Sequence, residues 1–365
     1  MVGSRPFQLA SWQEPLSAGQ SRCRLCSHGC KLLPGSWGVC RARLNQGGAI
    51  VLPLKGLVSS LAIDPIEKKP LYHFLPGSRV FSVGFLGCNL RCPFCQNWRI
   101  SQEFEKEVPE ISPESLVEQA LASGCPSIAV TYSEPSIQIE YLVEASSLAQ
   151  GRSLQTVLVT NGNLNEGPVE ELLDHIDAVN LDIKCFSAKA YAQVLSGSLE
   201  HTLAFARIAA RKTWLEVTTL VVPGLDDWPA AIDGISAFLA TLSKEIPFHL
   251  SAYHPAWRYG EEPTSAELLE SLAGRAKRKL SHVYVGNLSP EVQEDVCAAC
   301  GATLVRRQGY GIQVKNLVAD PGIDPGQKAW ESDARCGRCG EKAHYRLGAG
   351  PSKSSIRKAM PESEP

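Results

Sequence analysis

The chain has 365 residues, 44% hydrophobic and 20% charged, with 36 Lys and Arg against 38 Asp and Glu for a formal net charge of −2. That composition excludes a disordered, collagen-like or coiled-coil chain, and so even a charge balance gives no reason to expect a nucleic-acid partner. No run of about 18 uncharged apolar residues marks a membrane span, and the opening MVGSRPFQLASWQEP lacks the basic and apolar regions of a secretory signal, so the expected location is the cytoplasm.

Thirteen cysteines are unusual in a chain long enough to need no disulfide staples, and their tight grouping points to metal ligation. Cys23, Cys26, Cys30 and Cys40 form the first group, with Gly29, Gly35 and Gly38 allowing a close fold; four thiolates suit zinc or an auxiliary [4Fe–4S] cluster equally. The Pro- and Gly-spaced stretch after this group, up to residue 78, reads as an extended connector or edge structure. From 79 to 290, short apolar runs alternate with helical patterns. The runs are 79–87, 127–132, 156–161, 178–183, 215–222, 248–253 and 282–287, each a candidate strand buried on both faces. Between them lie segments such as 112–124, with Ser112 as N-cap and Pro113 at the first helical position. This alternation predicts an α/β fold, a partial (β/α)6 barrel in which chemistry gathers at the C-terminal ends of the strands.

After residue 290, Cys297 and Cys300, then Cys336 and Cys339, form two C-x2-C-G knuckles that predict a zinc-ribbon-like four-thiolate site over 291–347. The gap between the knuckles implies an inserted loop, 319–333, and the Pro/Ser-rich end, 348–365, is expected to be disordered. Cys125 and Cys185 are left over and read as small buried hydrophobes.

The chemistry centres on GCNLRCPFCQNW, directly after the first strand of the core, with Cys88, Cys92 and Cys95 at C-x3-C-x2-C. Three thiolates can hold an iron–sulfur cubane and leave one iron open; the alternative is a zinc ion completed by a distant fourth ligand. The loop resembles the signature of the radical S-adenosylmethionine superfamily, with Phe94 matching the aromatic before the third cysteine. That resemblance implies a [4Fe–4S] cluster whose open iron chelates S-adenosylmethionine, reductive cleavage to a 5′-deoxyadenosyl radical, and hydrogen abstraction from a substrate.

It also implies cofactor-binding roles for residues at later strand ends. Glu134 in TYSEP would take the cofactor's ammonium, although Tyr132 and Ser133 stand where relatives have two glycines. Thr160 and Asn161 in TNG would lie near the ribose and methionyl carboxylate. Asp182 and Lys184 share one strand face, Val159 replaces an Asp of some relatives, and His254 would sit beside the adenosine, with His249 and Asn287 as further candidates. Together with DPIEKKPLYHFLPGS (64–78) and the outer cysteine groups, these motifs resemble the AmmeMemoRadiSam-system radical SAM enzymes, relatives of pyruvate formate-lyase activating enzyme. The subgroup implies Ammecr-like and Memo-like partner proteins and a flavodoxin- or ferredoxin-type electron donor. The expected substrate is a glycine of a partner protein; RNA or a small metabolite with the same chemistry, or a non-catalytic electron-transfer or scaffold module, are the alternatives.

Overall fold

The computed structural model describes residues 7–104, 107–288, 292–322 and 331–348. Short strands open the chain: β1 (Gln13–Pro15), β2 (Ser21–Cys23) and β3 (Lys31–Leu32) form one antiparallel sheet, and β4 (Leu44–Gln46) and β5 (Ala49–Val51) a hairpin. Cys23, Leu25, Cys26, Leu32, Cys40 and Ile50 are buried in the same apolar cluster as the central sheet, so this segment has no core of its own.

The central sheet has eight strands: β6 (Val58–Pro65), β7 (Arg79–Phe85), β8 (Ser127–Thr131), β9 (Gln155–Thr160), β10 (Ala178–Asp182), β11 (Trp214–Val221), β12 (Phe248–Ala252) and β13 (Val283–Gly286). They lie side by side in chain order; β7 to β13 are parallel, and β6 pairs antiparallel with β7. The expected edge structure before residue 78 is therefore a full strand. A helix at Trp98–Ser101 (α1) comes after the cysteine loop. The crossovers run through α2 (Pro113–Ala122), α3 (Ile139–Gln150), α4 (Glu166–Leu173), α5 (Ala188–Gln193) with α6 (Leu199–Lys212), α7 (Trp228–Leu242) and α8 (Ala266–Ala276). Six strand–helix units and a closing strand match the (β/α)6 expectation. The sheet curls, because Thr131, Val159, Asn180, Thr218 and His249, from five successive strands, line a single cavity. Ser112 caps α2 as expected, accepting from the Ser115 N–H, and Cys125 and Cys185 are both buried.

The remaining strands are β14 (Val292–Val296), β15 (Thr303–Gln308) and β16 (Gly311–Val314) in one antiparallel sheet, and β17 (Leu317–Ala319), β18 (Ala334–Cys336) and β19 (Lys342–Ala343) in another. Cys297, Leu304, Val305, Leu317, Cys336 and Tyr345 form their own small core. Most of the expected loop at 319–333 and of the expected tail at 348–365 falls outside the described residues. No helix among the described residues is long and apolar enough to cross a membrane.

Candidate active site and cysteine clusters

Cys88, Cys92 and Cys95 lie just beyond the C-terminal end of β7, and the backbone turns into their loop at Gly87, with φ +92°. Only glycine fits there: a Cβ would lie 2.5 Å from the Cys40 carbonyl oxygen. All three cysteines line the curved cavity. The Leu90 N–H donates to Cys88 Sγ at 3.3 Å, and Asn161 Nδ2 approaches the same sulfur at 3.8 Å. Burial, then the Glu134 carboxylate, pushes the Cys88 thiol well above its ordinary range, and burial raises Cys92 to about 12 against the pull of Lys184. A metal binding here must therefore displace tightly held protons, which makes loading pH-dependent.

Glu134, Thr160 and Asn161 meet in one buried network. Thr160 Oγ1 donates to Glu134 Oε1 at 2.7 Å, the Ser136 N–H to the same oxygen at 3.1 Å, and the Asn161 N–H to Oε2 at 2.8 Å. Burial raises the Glu134 pKa despite these donors. An ionised carboxylate offers about four acceptor positions, so three bonds leave room for one more donor. Tyr132 in TYSEP adopts φ +72°, the left-handed region that glycine enters freely. Its ring is held in place, the hydroxyl donating to Asp64 Oδ2 at 2.6 Å and the Lys69 ammonium lying 4.5 Å from the ring centre.

Asp182 and Lys184 form the same-face pair read from the sequence, with Nζ 2.8 Å from Oδ2, and both line the cavity. Burial works against the Lys184 ammonium, but Asp182 and Cys92 outweigh it and keep the pKa above the ordinary lysine value. Val159 also lines the cavity. His254 is not brought there: β12 ends at Ala252, the chain turns, and His254 is exposed with Nε2 3.0 Å from the Asn287 carbonyl. His249 does face the cavity, bonded at 2.8 Å to Glu216.

Glu216 is the residue that sequence reading overlooked. Fully buried, it accepts from the Tyr72, His73 and Phe74 N–H groups and from the Trp214 indole, fastening the PLYHF segment to β11. Its signal was an acidic residue inside an apolar strand run. Also unforeseen, Arg307 reaches from β15 to the cavity, paired with Asp295 and stacked against Tyr72 and Tyr284. The cavity measures about 1920 Å³, roughly twice the upper end of the usual range for a single small ligand, about 300–1,000 Å³. It has room for a cofactor and a substrate together.

The C-terminal knuckles form as expected. Gly301 and Gly340, after their second cysteines, adopt φ +69° and +79°, and their N–H groups turn back to the Cys297 and Cys336 carbonyls. The ligand atoms of Cys297, Cys300, Cys336 and Cys339 all lie within 4.8 Å of one another, with Cys297 to Cys339 at 3.6 Å and Cys300 to Cys336 at 3.7 Å. This is the only such group of three or more among the described residues; neither Cys88, Cys92 and Cys95 nor the N-terminal quartet shares it.

The chain belongs to the Radical SAM superfamily, whose signature matches residues 83–232. It is 36% identical over 340 residues to Uncharacterized protein MJ0808 of Methanocaldococcus jannaschii, covering 91% of this chain and 98% of that one. It is 26% identical over 183 residues to the pyruvate formate-lyase-activating enzyme of Staphylococcus epidermidis, covering 46% of this chain and 72% of that one. Over 221 residues it is 26% identical to the pyruvate formate-lyase 1-activating enzyme of Escherichia coli, covering 54% and 88%.

Proposed function

We propose that Cys88, Cys92 and Cys95 hold a [4Fe–4S] cluster and that the chain uses it on S-adenosylmethionine to abstract hydrogen from a substrate. The observation that carries this reading is convergence: the three cysteines share one cavity with Glu134, Thr160, Asn161, Asp182 and Lys184, drawn from three other strand ends. Cys88, Cys92 and Cys95 are not among the ligand groups of the described residues close enough to share one ion, and a cubane holds its thiolates on separate irons. When bound, that group supplies the electron that splits S-adenosylmethionine into methionine and the 5′-deoxyadenosyl radical. The chain's own residues orient and shield. Glu134, with one acceptor position spare, suits an ammonium, and Lys184, held charged by Asp182, suits a carboxylate. Asn161 supports the Cys88 thiolate from the side.

Polar side chains line the cavity as well, Glu67, Gln293 and Arg307 among them, which suits a polar substrate. The name of the relatives, pyruvate formate-lyase-activating enzyme, favours a glycine in a partner protein as the substrate, with a flavodoxin- or ferredoxin-type electron donor. Ammecr-like and Memo-like proteins are the partners to test first by co-purification. A zinc ion at Cys297, Cys300, Cys336 and Cys339 completes the reading, since bonds of about 2.3 Å place tetrahedral sulfurs about 3.8 Å apart.

The test is anaerobic reconstitution followed by dithionite and S-adenosylmethionine. The expected result is 5′-deoxyadenosine and a shift in the cluster's EPR signal on adding the cofactor, with Cys92→Ala reducing product to the background of iron-free protein. Intact cleavage in Cys92→Ala would remove the ligand assignment, and no cleavage by the wild-type chain would remove the function.

A further inference from the structure

The two outer cysteine groups have the same number and kind of ligands but different geometry. At the C-terminal group all four sulfurs crowd within 4.8 Å, as one tetrahedral ion demands. At Cys23, Cys26, Cys30 and Cys40 no three sulfurs come that close, although Cys26 feels the charge of each of the other three. A cubane carries its thiolates on four separate iron corners, so their sulfurs stand roughly 6 Å apart. Like Cys88, Cys92 and Cys95, the N-terminal quartet is not among the groups of ligand atoms, within the described residues, that crowd around one point as a single ion needs.

Arg43 is a second, independent pointer. Its side chain is 1% exposed and bonded to Glu140 and, at 3.4 Å, the Ile137 carbonyl; its Nε and Nη1 are buried without partners. It lies within electrostatic reach of Cys23 and Cys40, and Gly38 separates the two side chains: a Cβ there would sit 3.7 Å from Cys40 Sγ and 3.9 Å from Arg43 Cβ. A buried guanidinium with idle N–H groups beside four thiolates matches an anionic, sulfur-rich group.

The quartet also adjoins the catalytic loop. The Cys40 carbonyl packs against Gly87, immediately before Cys88. Arg91 bridges the two sites, donating from Nη1 to the Cys88 carbonyl at 3.0 Å and from Nη2 to the Val39 carbonyl. Yet none of the four cysteines lines the substrate cavity. Closed by four thiolates and outside the cavity, such a cluster can exchange electrons but has no iron free for a cofactor.

We infer that Cys23, Cys26, Cys30 and Cys40 hold a second [4Fe–4S] cluster, which takes one electron from a reduced flavodoxin- or ferredoxin-class donor and passes it to the cluster at Cys88, Cys92 and Cys95. The donor is oxidised by one electron, the second cluster is reduced and then reoxidised, and the electron ends on the cofactor-binding cluster. The relay role rests on the proposed function; the metal assignment does not.

The experiment is metal analysis with Mössbauer and EPR spectroscopy on the anaerobically reconstituted full chain. The expected result is about eight iron atoms and about one zinc per chain, and a Cys88→Ala/Cys92→Ala/Cys95→Ala variant that keeps about four irons. That variant's remaining cluster should be reduced by flavodoxin, giving an EPR signal that S-adenosylmethionine does not move. About four irons and two zincs in the wild-type chain would overturn the metal assignment even if the variant did not fold. A remaining cluster that reduced flavodoxin leaves oxidised would overturn the relay. Eight irons without 5′-deoxyadenosine would instead sink the proposed function while leaving the second cluster standing.

Discussion

The N- and C-terminal cysteine groups carry the same four thiolates but are tied to the barrel in different ways. The N-terminal group is embedded: Cys23, Cys26 and Cys40 belong to the barrel's own apolar core. The C-terminal group organises a separate small core and meets the barrel through polar and aromatic contacts. Tyr345 stacks on His73 with centroids 4.1 Å apart, the Arg346 N–H donates to the His73 carbonyl at 2.9 Å, and Arg307 Nη2 donates to the Tyr72 carbonyl at 2.8 Å. Equal ligand sets therefore do different structural work, because one is wrapped by a shared core and the other supplies the reason for its own fold.

The largest expected effect separates them directly. Cys336→Ala should lose the ion of the C-terminal group, and since apparent binding free energies at such small sites are about 10–16 kcal/mol, the strands around it should unfold locally. Hydrogen exchange should rise across β17 to β19 while the main thermal transition of the barrel stays in place. Cys26→Ala should do the reverse, lowering the main transition. If both variants shift the same transition, the contrast between a shared and a separate core is wrong.

Arg43→Met probes the embedded side alone. It strands Glu140, whose side chain is 3% exposed and whose other donors include the Ser11 N–H at 2.9 Å. Removing one partner of a buried ion pair should cost about 3–5 kcal/mol in chemical denaturation. A loss below about 1 kcal/mol, on the order of an exposed pair, would show that this region is open to water.

Much of this contrast was invisible in the sequence, and the reason is physical. All seven parallel strands were legible, because strands buried on both faces write their burial as continuous apolar runs. So were the knuckles and the Cys88, Cys92 and Cys95 loop, whose spacing is local. The pairing of β6 with β7 was read only as an edge, since register is set by the partner strand. The burial of Arg43 and the outward turn of His254 both depend on distant chain segments packing together. Tyr132 shows the limit from another side: its left-handed backbone is held by Asp64 and Lys69, which lie more than 60 positions away.

Glu216 tests the attachment on the other side. It holds the Tyr72–Phe74 backbone onto which the C-terminal segment packs. Glu216→Gln turns one acceptor into a donor facing other donors, and should cost about 1–3 kcal/mol. The distinguishing readout is local: hydrogen exchange should increase at residues 70–76 and at Tyr345 and Arg346, and not in the N-terminal strands.

A pH dependence should also set the C-terminal attachment apart. Burial, then the neighbouring His282, drives His344 down to about 4, and burial, His282 and His344 hold His73 well below the ordinary histidine value. A histidine whose folded pKa is depressed contributes stability that is fully present above its unfolded pKa, near 6.5. Below that value the unfolded chain binds a proton that the folded chain refuses. Stability is then lost as pH falls from about 6.5 toward the folded values, by up to about 1.4 kcal/mol per pH unit for each histidine. Glu245 and Glu216, which favour the protonated His344, soften the loss, whereas Arg307 deepens it at His73. Exchange rates in β17 to β19 measured at about pH 7.5 and about pH 5, corrected for intrinsic chemistry, should rise far more than those in β1 to β3. Equal changes in both regions would mean that His73 and His344 can be protonated in place, and that the attachment is less closed to solvent than the stacked His73 and Tyr345 rings imply.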